Sequence, residues 1–292
     1  MKVGPAVTWI FLLGLTCSIT RSQIPNRTWR DHLPYNQGNR LAAFDTRLFC
    51  ATLGGGLFSY DTHDNSIKKY SKVTGLSDAG ISTIGVSSAA QTFLVGYTNG
   101  NMDLVTGDSI INIPDIKRKM ISGEKSINNI FFKDQYAYLA CGFGIVLCDL
   151  NRREIKDTYI FGPGGSQIEV NDITLDGQYL YAATVQGIYK ADYINANLVD
   201  FSVWQHMESL PDPDSEYRFL AWFNQKLFTV YHNTVTEQDQ IITFTDSNWQ
   251  EWTHSYDDKF QFLGEQQGYL VISSLLRTKV YNSQEQPVRD VL

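Results

Sequence analysis

Apolar positions along this chain fall into short runs separated by glycine, asparagine and aspartate, and the runs recur in a fixed order. "LFCATLGGGLFSYD" from Leu48 is followed by "FLVGYTNGNMDLV", "YLACGFGIVLCDL" and "YLYAATVQGIYKAD". The aligned glycines are Gly56, Gly100, Gly144 and Gly187, at intervals of 44, 44 and 43 residues. Two weaker copies, "LFTVYHNTVTEQD" from Leu227 and "YLVISSLLRTKVYN" from Tyr269, keep roughly the interval and lack the glycine. A period of this length fixes architecture before any motif does.

Each unit reads as four short strands. An apolar opener such as Ile81–Ile84, Ile127–Phe132 or Val170–Leu175 comes first, and a strand on either side of the glycine follows. A closing strand completes the unit at Ile67–Tyr70, Ile110–Ile113, Ile155–Tyr159 and Phe201–Trp204. β-Branched and aromatic residues fill the runs, turn formers punctuate them, and no 3.6-residue apolar period of useful length follows the N-terminal segment. Four strands per repeat predict an all-β chain, a β-propeller of four-stranded blades. A parallel β-helix is the alternative, but its coils are usually shorter. Six copies are visible, and closure by six or seven blades is left open. The last copy breaks off at "PVRDVL", in its expected outer strand, and "RTWRDHL" (Arg27 to Leu33) resembles an orphan outer strand able to close the ring.

The N-terminus changes the compartment. Lys2, the apolar "TWIFLLGL" and the small polar residues Ser18, Thr20 and Ser22 form a secretory signal pattern, with cleavage expected after Ser22. The apolar core is short for a bilayer span, and Gly14, Leu15 and Thr16 before Cys17 fit a lipoprotein box poorly. The expected organisation is a signal peptide over residues 1–22 and a propeller over 23–292, the N-terminal part of a longer, exported protein.

Composition then removes function classes. The chain has 292 residues, 43% of them hydrophobic, and a net charge of −7, which argues against a general nucleic-acid binder. Cys50, Cys141 and Cys148 form neither a disulfide framework nor a zinc pair; Cys141 and Cys148 either face each other across a hairpin or stay buried thiols. A phosphate loop needs a helix after its glycines, whereas "GGG" at Gly54–Gly56 is followed by the strand "LFSYD". It reads as a hairpin turn, with the four aligned glycines as structural turn residues.

No catalytic constellation emerges. His32, His63, His206, His232 and His254 are scattered, and neither HExxH nor GxSxG occurs. Two acidic clusters, Asp212/Asp214/Glu216 and Asn99/Asn101/Asp103, carry alternating oxygens but depart from the EF-hand pattern. The basic "IKRKM", with Lys117, Arg118 and Lys119 on an expected loop and Lys125 nearby, is the candidate grip for a phosphate or uronate on an anionic polymer. Tyr97, Phe143, Trp222, Trp249 and Trp252 are candidates for stacking on sugars. The reading is a non-enzymatic module without cofactor or metal.

"YSKVTGLSDAGISTIGV", "GYTNGNMDLV", "AYLACGFGIVLCDLNRREIKDTY" and "YAATVQGIYKAD" together resemble the N-terminal propeller of the PorZ family, type IX secretion components of Bacteroidetes. The resemblance runs from about Trp29 to Trp204, and "VTGLSD" departs from it where asparagine is expected before the glycine. It implies a cell-surface or outer-membrane location and a place in the attachment complex. Its implied partners are a sortase-like protease and outer-membrane barrel proteins, and its implied ligand is anionic lipopolysaccharide, bound and presented during cargo attachment. Periplasmic sensor propellers of hybrid two-component regulators, which bind glycan fragments, are also similar. Their repeats usually carry a tryptophan where this chain has "LVGYT" and "YAATV".

Overall fold

Residues 32–107, 109–252 and 259–291 are described by a computed structural model. The expected signal, its cleavage point and His254 lie outside these residues. So does the expected closing strand except for His32 and Leu33, which carry no strand pairing.

The period of the apolar runs becomes six antiparallel sheets, each made of four consecutive strands. Blade 1 holds β1 (Gly38–Phe44), β2 (Arg47–Thr52), β3 (Leu57–Asp61) and β4 (Ile67–Tyr70). Blade 2 holds β5 (Ile81–Ser87), β6 (Thr92–Tyr97), β7 (Met102–Thr106) and β8 (Ser109–Ile113). Blade 3 holds β9 (Ile127–Lys133), β10 (Tyr136–Cys141), β11 (Gly144–Asp149) and β12 (Glu154–Tyr159). Blade 4 holds β13 (Val170–Leu175), β14 (Tyr179–Thr184), β15 (Gly187–Asp192) and β16 (Gln205–His206). Blade 5 holds β17 (Leu220–Phe223), β18 (Lys226–Asn233), β19 (Gln238–Thr245) and β20 (Asn248–Glu251). Blade 6 holds β21 (Phe260–Gln266), β22 (Tyr269–Ser274), β23 (Thr278–Tyr281) and β24 (Pro287–Val291). The first strand of each blade touches the first strand of the next, so these six are the inner strands of a β-propeller.

One expectation about strand ends holds and one changes. "PVRDVL" supplies β24, the expected outer strand of the last copy. The expected outer strand Phe201–Trp204 is instead a 3₁₀ turn over Phe201–Val203, and the outer strand shrinks to Gln205–His206. Trp204 explains the difference. Its ring stacks on Phe161 at 4.0 Å and its Nε1 donates to the Leu198 carbonyl at 3.0 Å, a buried position that strand geometry there would not give.

Alternation on the second strand of each blade builds the core. On β10, Leu139 and Cys141 pack toward blade 2 while Tyr138 and Ala140 pack toward blade 4. On β14, Leu180 and Ala182 face blade 3 while Tyr181 and Ala183 face blade 5. Strands covered on both faces read as continuous apolar runs, which is why "YLAC" and "YLYAA" show no polar alternation. Burying one leucine in this way is worth about 1.5–3 kcal/mol. Polar side chains stitch the inner strands together. Ser82 Oγ donates to the Ile127 carbonyl at 2.7 Å, Asn128 Nδ2 to that of Val170 at 2.9 Å, and Asn171 Nδ2 to that of Tyr217 at 2.9 Å.

Candidate functional site

The turn between the second and third strands of each blade and the connector into the next blade lie at the same end of the propeller. Their packing explains the aligned glycines. A Cβ on Gly144 (φ 146°) would sit 2.2 Å from the Tyr159 carbonyl oxygen, and one on Gly187 (φ 86°) 2.1 Å from that of Pro213. Gly100 lies in the same way against Ile116 and Lys125. In blade 1 the two duties separate, with Gly55 taking the positive φ and Gly56 packing against Pro34. The Gly56 amide donates to Thr52 Oγ1 at 3.1 Å, so this triple glycine holds its own strands rather than an anion.

The basic cluster sits at this end, on a single helical turn, α1 (Asp115–Arg118), where a loop was expected. Lys125 shapes it. Its ammonium donates to the carbonyls of Lys117 and Lys119 at 2.9 and 2.6 Å, placing a cation at the end of the helix where the peptide dipoles are negative. Lys117 is tied down too, to Asp78 Oδ2 at 2.5 Å. Burial would raise the Asp78 carboxyl. Hydrogen bonds from Lys117, from Asn99 Nδ2 at 2.7 Å and from the Ala79 amide outweigh it and hold the group well below the usual carboxylate range. Of the three candidate cations, Arg118 and Lys119 are therefore the ones turned to solvent without an acidic partner in the described residues. A groove of about 290 Å³ opens beside Lys119, with Ile116, Phe143, Val146 and Ile155 on its apolar side and Asp115 at its edge.

The oxygen clusters are engaged in holding the fold. Asn101 Oδ1 accepts from Asn112 Nδ2 at 2.9 Å, and Asp103 accepts from Tyr97 Oη at 2.6 Å and the Ser77 amide at 2.8 Å. In the second cluster Asp212 accepts from Ser215 Oγ at 2.5 Å and Glu216 from Asn171 Nδ2 at 3.1 Å. Among the described residues no group of three or more His, Cys, Asp or Glu is placed to hold a metal ion. His206 has both ring nitrogens occupied, by Glu208 at 2.9 Å and the Pro213 carbonyl at 3.0 Å. His232 Nδ1 sits 2.8 Å from Asp239, which also accepts from Arg218 at 3.0 Å.

Register decides the cysteines. Cys141 pairs with Gly144 and Cys148 with Ala137, so the two do not oppose each other, and both are buried free thiols. Burial pushes the Cys148 thiol up to about 12. Of the aromatic candidates, Tyr97, Phe143 and Trp252 are core residues, while Trp222 and Trp249 are half-buried.

Asp172, at the inner wall, was not among the residues singled out from the sequence. This β13 carboxylate is 5% exposed and accepts from Asn129 Nδ2 of blade 3 at 2.6 Å and from the Leu220 amide of blade 5 at 2.8 Å. Burial pushes it up to about 6, against these hydrogen bonds and the charge of Arg40 on β1. A lone aspartate inside an apolar run, "VNDITL", was the signal available.

Blades stacked in sequence order, with polar side chains spent on holding turns and connectors, define a β-propeller. No curated protein matches the sequence. The chain belongs to the family of N-terminal β-propeller domains of PorZ, of the type IX secretion system, whose model matches residues 49–205, more than half of the sequence. The PorZ structure from Porphyromonas gingivalis is similar with a TM-score of 0.74 at 20% identity, over 89% of this chain and 33% of that one. The chain thus spans about a third of the PorZ chain it matches. The extracellular domain of BT4673, a hybrid two component system of B. thetaiotaomicron, is similar with a TM-score of 0.53 at 13% identity, over 91% of this chain and 42% of that one. BamB from Moraxella catarrhalis has a TM-score of 0.50 at 12% identity, over 86% and 75% of the two chains. Likeness at these identities shows the fold alone. Among the described residues no helix is long and apolar enough to cross a membrane.

Proposed function

We propose that this propeller is a non-catalytic, cell-surface part of a type IX secretion attachment complex, where it binds and presents anionic lipopolysaccharide and scaffolds a sortase-like protease beside outer-membrane barrel partners. The observation that carries the reading is membership of the PorZ propeller family over residues 49–205. The P. gingivalis PorZ of similar fold is described as an essential bacterial surface component of that system, which supports the location. The exposed Arg118 and Lys119 beside an apolar groove suit a ligand carrying phosphate or uronate next to a less polar body. The sensor-domain alternative has a fold likeness of lower TM-score and no family match behind it.

Two measurements test this reading. Deleting the gene in its own host should release cargo unattached, with its C-terminal signal retained, and unchanged attachment would overturn the secretion role. Purified protein should retain anionic lipopolysaccharide at low salt, and the paired substitutions Arg118→Glu and Lys119→Glu should weaken that retention several-fold. Unchanged retention would remove α1 as the grip.

A further inference from the structure

Exposed apolar side chains collect at one end of this propeller. Among the described residues six large ones are more than two-thirds exposed. Five of them, Leu53, Met120, Val235, Leu275 and Leu276, lie on turns or connectors of the connector end. Single exposed leucines are ordinary on any surface, and it is the gathering at one end that needs a cause.

The turns themselves supply none. Leu275 and Leu276 form the tip between β22 and β23, closed by the Ser274 amide donating to the Arg277 carbonyl at 2.8 Å. Turn chemistry calls for glycine, asparagine or aspartate at such a tip, as Asn99 and Gly100 supply in blade 2. Val235 tops the extended β18–β19 hairpin, whose turn is built by Asn233 Oδ1 accepting from the Val235 and Thr236 amides at 3.0 and 3.2 Å. No hydrogen bond of that turn uses the Val235 side chain, which is 90% exposed. Met120, just after α1, is 98% exposed.

Cations flank two of these tips. Arg118 and Lys119 immediately precede Met120, on a connector where four basic side chains stand against Asp115 and Glu124. Arg277 follows Leu276 and shares its charge with Asp290 at 3.3 Å. Lys259 is exposed and enters β21 next to Phe260, which pairs with Ser274, so it stands beside the leucine tip. Glu237 on the turn of Val235, and Glu208 and Asp214 on the connector into blade 5, make blade 5 the acidic sector. The leucine and Met120 corners therefore carry any attraction to anions.

We propose that the connector end docks on a bilayer with phosphate-bearing, anionic headgroups, the Leu275–Leu276 and Met120 tips entering the interface while the neighbouring cations meet phosphates. Apolar tips on separate turns of blades 1, 5 and 6 and on the connector into blade 3 suit a deformable interface, into which each sinks by itself. A protein partner needs a continuous face. A cation beside an apolar tip is the combination a lipid surface favours, since headgroup attraction and burial of apolar area add. The inference goes beyond the grip proposed for Arg118 and Lys119, because it needs no polysaccharide and its leading residues are Leu275 and Leu276.

The test is flotation of the full chain with vesicles of phosphatidylcholine and phosphatidylglycerol in equal parts at low salt. The chain should float with them, and less with phosphatidylcholine alone. Leu275→Ser combined with Leu276→Ser should weaken binding about ten-fold without moving the thermal midpoint, because neither side chain is packed in the fold. Leu41→Ser, at an exposed β1 position, should bind as the unsubstituted chain does. With Leu276→Trp, the added emission should shift to shorter wavelength when vesicles are supplied. No flotation, equal flotation with phosphatidylcholine alone, undiminished flotation of the leucine pair, equal loss in Leu41→Ser or an unmoved emission would each overturn the proposal. Leucine-dependent self-association in place of flotation would assign the tips to a contact between copies and overturn it as well. The vesicles contain no lipopolysaccharide, so this result and the retention measurement can fail separately.

Discussion

Blades 3 and 6 share a strand count, yet they are buried to different depths. In blade 3 all of β11 and all but the first residue of β10 are buried, whereas β22 alternates between buried and accessible positions and β24 is exposed throughout. The cause is the number of covered faces. Blade 3 shares one apolar cluster with blade 2 and another with blade 4, while among the described residues Leu270 and Ile272 of blade 6 share a cluster with blade 5 alone. Blade 1 behaves like blade 6, with Phe49 and Ala51 against blade 2 and Leu41 79% exposed. A blade is thus half of two interfaces. The stability of the repeat lies in its neighbours more than in its own hydrogen bonds.

The contrast can be pressed by substitution. Leu180→Ala, in a site with no exposure, should cost about 2–5 kcal/mol in urea unfolding, while Leu41→Ala should stay within about 0.5 kcal/mol. Equal losses would show that blade 1 is covered as fully as blade 4. Gly144→Ala comes next. A methyl 2.2 Å from a backbone oxygen in a left-handed conformation should destabilise by about 2–3 kcal/mol. Gly268→Ala in blade 6 has φ 82° and open space, so only the backbone strain of about 1 kcal/mol remains. Asn128→Ala and Asn171→Ala each remove two hydrogen bonds to the segment entering the next blade, and each should lower stability by about 1–2 kcal/mol.

The smallest effect is a pH dependence at the connector end. The folded-state pKa of Asp78 lies below its ordinary 3.8, so its ion-paired form contributes stability that is complete above about pH 5. That contribution is lost progressively as pH falls below 4 and the carboxylate takes up a proton. Thermal midpoints between pH 3 and 6 should fall less steeply for Asp78→Asn than for the unsubstituted protein. Parallel slopes would show that Lys117 is not held by this charge.

Much of the architecture could be read from the chain because period and turn chemistry are local. Ile67–Tyr70 appeared with the same bounds in sequence and structure, and the openers Ile81, Ile127 and Val170 all begin inner strands. Phe201–Trp204 failed because a tertiary contact, the stacking of Trp204 on Phe161, overrides strand propensity there. The weaker copies lack glycine for a visible reason. In blade 5 the longer β18 and β19 carry the turn further out, and Glu237 accepts the positive φ of 56° in open surroundings. The sites were less legible. Lys117 looked like a free cation because Asp78, thirty-nine residues earlier, is brought to it only by the packing of two connectors.

Three of the side-chain bonds between neighbouring blades share one sense. Ser82, Asn128 and Asn171 each belong to the earlier blade, and the carbonyl each one reaches belongs to the later blade. Blade 4 adds the reverse sense, since Asp172 and Thr174 accept from the Leu220 and Trp222 amides, and Asp239 of blade 5 accepts from the Phe260 amide of blade 6. During synthesis from the N-terminus, blades 2 to 5 therefore each present a side-chain hydrogen-bonding group to the chain that follows. Each of the blades after them is received by a polar group already in position on its predecessor.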